Sequence, residues 1–442
     1  MKVLFVSNDL LAGSLAYVLT KEGCEVKLHI LSKQQEENFT NLIPKTNNWK
    51  KELSWVGKDG LIIFDDVGFG EEQDKLRLCG YSVFGSNTVG DRLETDRAWA
   101  QSVFKKYGLS TLPTYDFHSI DKAISFVKEH SGQWVVKQNG SASKSINYIG
   151  QLKDGTDVIS VLQNYKRHSN KIGTITLQKR IYGVEIGIGR FFNGIDWVGP
   201  IEINIEHKKL FPGDVGPTTG EMGTIAWYDD NESNKLFNLT LEKLKPFLKE
   251  IDFRGDIDLG CIANEKGVFP LEATPRFGSP IIHLQCQLHK SPWFAFLKAI
   301  ADGKKYNLRW KKGFGIVIMI STPPFPYTKK LVGVSSYGTK IHFEKNIPTN
   351  CFGKRIHFEE VSYDLKNKKY YISDHRGYVM YITSVSKSIS SAASDVYKLV
   401  KKIYIPKMFY RNDIGLKFEK EDIAKLIKWG YLDNHTTNTL RN

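Results

Sequence analysis

The chain has 442 residues, too many for one compact core, so two to four domains are expected. Apolar residues make up 41% and aromatic residues 12%, an ordinary globular composition that excludes wholesale disorder. Lys and Arg total 62 against 48 Asp and Glu, giving +14, and the excess lies late in the chain: residues 1–300 hold 36 of each sign, residues 301–442 hold 26 basic and 12 acidic. That split argues against a uniformly basic nucleic-acid coat and leaves a basic C-terminal module to explain. The five cysteines (Cys24, Cys79, Cys261, Cys286, Cys351) are scattered with no CxxC pair, which points to a reducing compartment and away from a disulfide framework or zinc knuckle. No apolar run approaches 18 residues, and the start MKVLFVSNDLLAG lacks the features of a signal peptide. A cytoplasmic protein without a membrane partner is the expectation.

In chain order, Val3–Val6, Glu25–Ile30, Leu61–Phe64 and Ser82–Phe84 read as strands, with a helical pattern at Leu10–Lys21. Strands alternating with helices predict a small parallel α/β sheet over residues 1–88. The turn Ser7-Asn8-Asp9-Leu10-Leu11-Ala12-Gly13 is not GxGxxG, so no dinucleotide site is read there. Asp91–Tyr107 reads as one helix, Ile120–His130 as another, and Gln133–Lys137 as a strand leading into the small-residue stretch 140–145. Ile172–Lys179 and Val184–Asn193 look like paired strands around Tyr182-Gly183, and Lys235–Lys249 like one helix. Ile257–Ala263 and Val268–Ala273 form a hairpin pattern around Asn264-Glu265-Lys266-Gly267. Asp302–Lys312 reads as a linker; beyond it come five further strand patterns and a helix at Ser390–Ile403.

Several residues could carry chemistry. Lys137 ends a strand and Lys144 lies in the small-residue loop that follows, an arrangement suited to polyphosphate. A surface lysine beside a flexible loop is the plainer alternative. In the hairpin, a three-residue loop would set Gly260 opposite Glu272 and Asp258 opposite Thr274, gathering Asp258, Glu272 and Thr274 on one face. Two carboxylates there would be costly to bury unpaired, and either a divalent cation or Arg276 or a lysine could relieve that cost. A two-residue loop would send Asp258 to the other face. Arg276 follows the second strand directly and could clamp a phosphate or acyl phosphate. The segment 216–224, GPTTGEMGT, is either a mobile linker or a loop whose amides close over an anion, and the preceding His207-Lys208-Lys209 favours the second.

Taken in order, these elements resemble the ATP-grasp carboxylate–amine ligases, most closely the phosphoribosylamine–glycine ligases (glycinamide ribonucleotide synthetases). GPTTGEMG resembles that family's GPNTGGMG, LEATPRFGSP its IEFNxRFGDPE, and FYRNDIG at 409–415 its FxRxDIG. The resemblance runs from Val3 to about Gly415. It implies an α/β ATP-grasp fold: a small N-terminal parallel α/β domain (1–88), an ATP-grasp domain (89–305) with a flexible subdomain at about 112–183, a basic C-terminal α+β domain (306–425) and a tail (426–442).

The resemblance also implies site roles. Arg97, Lys137 and Lys144 would contact nucleotide phosphates, Gln178, Lys179, Arg180 and Ile181 would form the adenine hinge, and Glu185 would hold the ribose. Glu272 would bind the metal; Thr274 stands where the family has asparagine, with Asp258 to complete the coordination. Arg276 and Lys144 would face the transferred phosphoryl group. Gly216, Thr218, Thr219, Gly220, Glu221, Met222, Gly223, Arg276 and Gly278 would line the substrate site. The implied cofactors are ATP and Mg2+ (or Mn2+), and the implied partners an amino acid and a phosphorylated amine, with no nucleic acid and a monomer or weak oligomer.

The departures cluster in the substrate motifs. The family's GNGGREHA segment is here 7–16, its PExPL element falls near Asp65-Asp66-Val67-Gly68-Phe69-Gly70, Glu221 replaces a glycine and Ser279 an aspartate. Three functions follow: a phosphoribosylamine–glycine ligase, an ATP-grasp ligase for another amino acid or amine, or a non-catalytic nucleotide-binding protein whose basic C-terminal third binds nucleic acid.

Overall fold

The computed structural model of the chain describes residues 1–138, 147–168, 173–327 and 335–432. The first four strands, β1 (Lys2–Ser7), β2 (Glu25–Ile30), β3 (Leu61–Phe64) and β4 (Val83–Phe84), form a parallel sheet in the order β2-β1-β3-β4. Residues 3–6 and 61–64 are buried throughout, as strands covered on both faces require. The helix expected over Asp91–Tyr107 is two helices, Thr88–Thr95 and Arg97–Lys106. Asp96 ends the first and caps the second by accepting from the Trp99 amide at 3.0 Å.

A separate antiparallel sheet follows: β5 (Thr114–Phe117), β6 (Trp134–Gln138), β7 (Tyr148–Ile149) and β8 (Ile175–Lys179), in the order β5-β8-β6-β7. The helices Ile120–Glu129 and Thr156–His168 bury Ala123, Val127, Val158 and Leu162 against it. β8 therefore does not pair with β9 (Val184–Asn193), contrary to the sequence expectation. The turn between them is no hairpin: Gly183 lies against Ala263, where a Cβ would stand 2.3 Å from the carbonyl oxygen.

The strands β10 (Trp197–Glu206), β11 (Lys209–Phe211), β12 (Val215–Thr218), β13 (Gly223–Asp229), β14 (Arg254–Asn264), β15 (Gly267–Thr274) and β16 (Phe314–Ser321) come next. After them run β17 (His342–Phe343), β18 (Ile356–Phe358), β19 (Val361–Asp364), β20 (Lys369–Ile372), β21 (Tyr378–Ser386) and β22 (Ile403–Tyr404). Eight of these strands make one sheet, β15-β14-β9-β10-β13-β16-β21-β18, so chain on both sides of residue 305 shares a single sheet. The expected helix Lys235–Lys249 breaks at Thr240, whose hydroxyl donates back to the Leu236 carbonyl at 2.6 Å. No helix among the described residues is long and apolar enough to cross a membrane.

The hairpin β14–β15 closes on a two-residue loop, with Asn264 opposite Gly267, not on the three residues expected. That loop alone would have put Asp258 on the wrong face. A bulge between Gly260 and Cys261 absorbs one residue and restores Gly260 opposite Glu272 and Asp258 opposite Thr274. The expected juxtaposition is present for a reason the loop does not supply.

Candidate active site

Strand register gathers the polar residues of the large sheet into two rows. Asn204, Gly187, Gly260 and Glu272 lie across from one another on β10, β9, β14 and β15; Glu202, Gly189, Asp258 and Thr274 form the next row. Cross-strand partners point to the same face, so five polar side chains share this surface with three glycines. The glycines leave space for them: a Cβ at Gly187 would stand 2.2 Å from Asn204 Oδ1. Asn204 Nδ2 uses that space to donate to Asp258 Oδ2 at 2.9 Å and to Glu202 Oε1 at 3.1 Å.

At the open end the charges alternate. Lys208 Nζ lies 2.7 Å from Glu206, 2.8 Å from Glu185 and 3.7 Å from Glu272. Burial alone would lower the Lys208 pKa, but the carboxylates of Glu206, Glu185 and Glu272 outweigh it and hold the ammonium charged. Arg97 Nη2 reaches Glu272 at 3.4 Å. Lys137 donates to Gln178 Oε1 at 2.8 Å, bringing the two strand-end residues of β6 and β8 together. Burial, and then the positive charge of Arg97, push Lys137 down to about 7. An anion delivered here would restore its charge. Lys179 stacks over Trp134, and Arg180 is spent on the Gly150 carbonyl and Gln151, so both side chains turn away from Lys137.

Deeper in, the acids outnumber their donors. Gln285 Nε2 donates to Glu202 Oε2, and burial pushes Glu202 up to about 7. Burial also raises Asp256 and Asp258, with repulsion from Glu202 adding to both, from Asp258 to the first and from Glu206 to the second. Glu221 is 6% exposed, and its Oε1 has no hydrogen-bond partner. Its carboxyl is raised well above the ordinary range by burial and by Glu206.

The 216–223 segment is strapped down. The Thr219 amide donates to the Lys208 carbonyl at 2.7 Å and the Met222 amide to that of His207 at 2.9 Å. These two amides are thereby committed to main chain and not to an anion. Met222 is fully buried and Gly223 opens β13, so the end of the motif is core. Residues 411–415 buttress the same loop: Arg411 donates to the Lys209 carbonyl at 3.0 Å and to Asp214 at 2.8 Å, and Asp413 accepts from the Gly213 amide at 2.8 Å. His207, pushed down to about 4 by burial and then by Arg411, is neutral and accepts from the Gly415 amide.

Arg276 leaves the end of β15 and makes a two-pronged contact with Glu94 at 3.1 and 2.8 Å, with Asp66 at 4.0 Å. Of the residues singled out from sequence, Arg97, Lys137, Gln178, Glu185 and Glu272 converge, with Asp258 and Thr274 in the adjoining row. Lys144 lies outside the described residues. Sequence reasoning missed Glu202, Asn204, Glu206 and Lys208 as a set. The period-2 alternation of IEINIE at 201–206 carried the signal for three of the four, since it puts Glu202, Asn204 and Glu206 on one face.

Comparison with known proteins agrees with this arrangement. Residues 95–280 match the family described as phosphoribosylglycinamide synthetase, ATP-grasp (A) domain. That match makes the central part of the chain similar to the ATP-grasp ligases. It is 25% identical over 437 residues to the phosphoribosylamine–glycine ligase of Fusobacterium nucleatum, covering 94% of this chain and 98% of that protein. The corresponding enzyme of Clostridium acetobutylicum is 24% identical, over 77% of this chain and 80% of its own length. Among solved structures, Thermotoga maritima phosphoribosylamine–glycine ligase superposes with a TM-score of 0.71 at 20% identity, covering 94% of this chain and all of the other. The biotin carboxylase domain of Hydrogenobacter thermophilus 2-oxoglutarate carboxylase, solved with MgADP, gives 0.65 at 15% identity, covering 98% and 99%. The second match shows the fold shared beyond one reaction.

Proposed function

We propose that this ligase activates a carboxylate with ATP and joins it to an amine through an acyl phosphate, as its phosphoribosylamine–glycine ligase relatives would by family resemblance. The observation that carries this reading is the alternating cluster Lys137, Arg97, Glu272 and Lys208 at the mouth of the two polar rows. Cations beside carboxylates at the end of a sheet suit a nucleoside triphosphate with its metal, where catalysis is positioning plus electrostatic stabilisation. Gln178, Lys179, Arg180 and Ile181 would present the hinge to adenine, Glu185 the ribose contact, and Lys137, Arg97 and Lys144 the phosphate contacts.

The donor set fits magnesium. Glu272, Asp258 and Thr274 offer oxygen only, and magnesium takes one or two carboxylates and completes its shell with phosphate and water. No group of three or more His, Cys, Asp or Glu among the described residues makes a cage of its own. Bound there, the ion would neutralise charge on the phosphates. Lys208 would exchange its contact with Glu272 for substrate oxygens, and Arg276 would face the transferred phosphoryl group.

Glycine and phosphoribosylamine, the substrates named for the relatives, are one instance of this chemistry. A second instance, with another amine, is favoured by the acidic residues around Asp66 and Glu94. Incubation with Mg-ATP, each amino acid and hydroxylamine tests the common step. ADP release with formation of the matching hydroxamate supports it; ATP turnover retained in full by Lys137→Ala rejects this site.

A further inference from the structure

A cavity of about 390 Å³ lies between the end of the helix Gly70–Leu78 and the turn at 251–252 that leads into β14. That volume falls at the lower end of the range for small-molecule sites. Arg77 forms one charged wall, donating to the carbonyls of Ser86 at 2.7 Å, Gly85 at 2.9 Å and Val83 at 3.3 Å. Its side chain is nine-tenths buried, and its Nε has no hydrogen-bond partner. Among the described residues, the carboxylate within 4 Å of it is Asp74, at 3.9 Å. Carbonyls solvate a guanidinium without cancelling its charge, and burial, followed by Arg254, pushes Arg77 down to about 10. Arg254 commits Nε to Asp252 at 2.9 Å and Nη1 to the Ala301 carbonyl at 2.8 Å, which leaves Nη2 unused among the described residues.

Two acids and three apolar side chains complete the lining. Asp74 Oδ2 accepts from the Thr88 amide at 3.1 Å and Asp252 Oδ1 from Arg254, so each acid keeps its other oxygen free of hydrogen bonds. Leu78, Tyr81 and Ile251 supply an apolar wall, and Leu78 is 89% exposed. A lone anion would meet Asp74 and Asp252, and a lone cation would meet Arg77 and Arg254, so either sign alone is penalised. A molecule that carries both charges on an apolar body satisfies every wall.

We propose that this cavity binds a free amino acid with an apolar side chain, its carboxylate on Arg77 and Arg254 and its ammonium on Asp74 and Asp252, as an effector of the ligase. The binding half stands by itself; the effector half rests on the ligase reading. The link is the helix Thr88–Thr95, whose start is built into the cavity wall. Asp74 holds its Thr88 amide, and Asn87 caps it through the Gly90 amide at 2.6 Å while donating to the Ile251 carbonyl. The last turn of the same helix carries Glu94, which grips Arg276 at 2.8 and 3.1 Å. A ligand that draws Asp74 and the 251–252 turn together therefore acts, through two turns of helix, on the arginine at the end of β15.

The test titrates the full chain with L-leucine by calorimetry without ATP, beside 4-methylpentanoate and 3-methylbutylamine, which keep only its carboxylate or only its ammonium. Leucine should bind about tenfold more tightly than either analogue. Leu78→Glu, a change at a solvent-exposed position that leaves the fold intact, should weaken leucine by about tenfold, and Asp252→Asn should narrow its advantage over 4-methylpentanoate. In ADP release, saturating leucine should shift the KM for ATP by about fivefold in the parent and leave Leu78→Glu unmoved. No leucine binding, equal binding by either analogue, equal binding by Leu78→Glu, or binding without a shift in KM overturns the proposal and leaves the ligase reading intact. Absence of ADP release with every amino acid removes the ligase reading and the effector role together, while calorimetry still decides the site.

Discussion

The two ends of the site are built on opposite electrostatic plans. At the end proposed to hold nucleotide, Lys208 touches three carboxylates and Arg97 also reaches Glu272, so charge is balanced before any ligand arrives. Along the Glu202–Asp258 row, carboxylates meet amides and each other, and around Asp66 a single guanidinium, Arg276, stands against both Asp66 and Glu94. A balanced end can hold a triphosphate and its metal by exchanging internal ion pairs for external ones. An unbalanced end is selective, because it penalises one sign of charge strongly.

The largest test of the contrast is Lys137→Ala. Loss of a positioned cation at a phosphoryl site should lower kcat/KM for ATP by about 10²–10³-fold, read from ADP release. At the unbalanced end, Asn204→Leu leaves Glu202 and Asp258 without their shared donor. It should destabilise the fold by about 1–3 kcal/mol, read from urea denaturation at neutral pH.

Glu202 gives a pH signature. Its folded-state pKa, raised to about 7 by burial, exceeds the unfolded value, so its contribution is full at acid pH and is lost as pH rises through 7. Glu202→Gln should therefore match the parent near pH 4.5 and gain on it, by on the order of 1–3 kcal/mol, at pH 8. Thermal melts at the two pH values decide it; a gap that narrows with rising pH would sink the idea. The smallest effect should come from the exposed Lys166–Asp121 pair, 2.7 Å apart. Lys166→Ala should cost less than about 0.5 kcal/mol.

Legibility in the sequence followed the distance over which each feature is encoded. Lys137, Glu272 and Arg276 sit at strand ends marked by local pattern, and the family motifs around them are contiguous. Lys208 meets Glu185 and Glu272 only because β9, β10, β14 and β15 lie side by side, a register no local window contains. The hairpin shows how an expectation can reach the right face by the wrong route: the loop is shorter than expected, and the bulge at Gly260 compensates. β8 and β9 misled through proximity, since a short turn between apolar runs imitates a hairpin when the two strands belong to different sheets.

The strap from Arg411 and Asp413 onto the 209–214 loop has a consequence for how the molecule is made. Tyr431 extends it, donating to the Asn264 carbonyl at the tip of the hairpin that carries Glu272. The loop and the hairpin are thus synthesised some 170 residues or more before the residues that hold them in place. N-terminal sheets can form on the ribosome, but pairing between distant segments closes slowly and last. The loop and the hairpin therefore reach their final positions only once residues 411–431 are there to hold them.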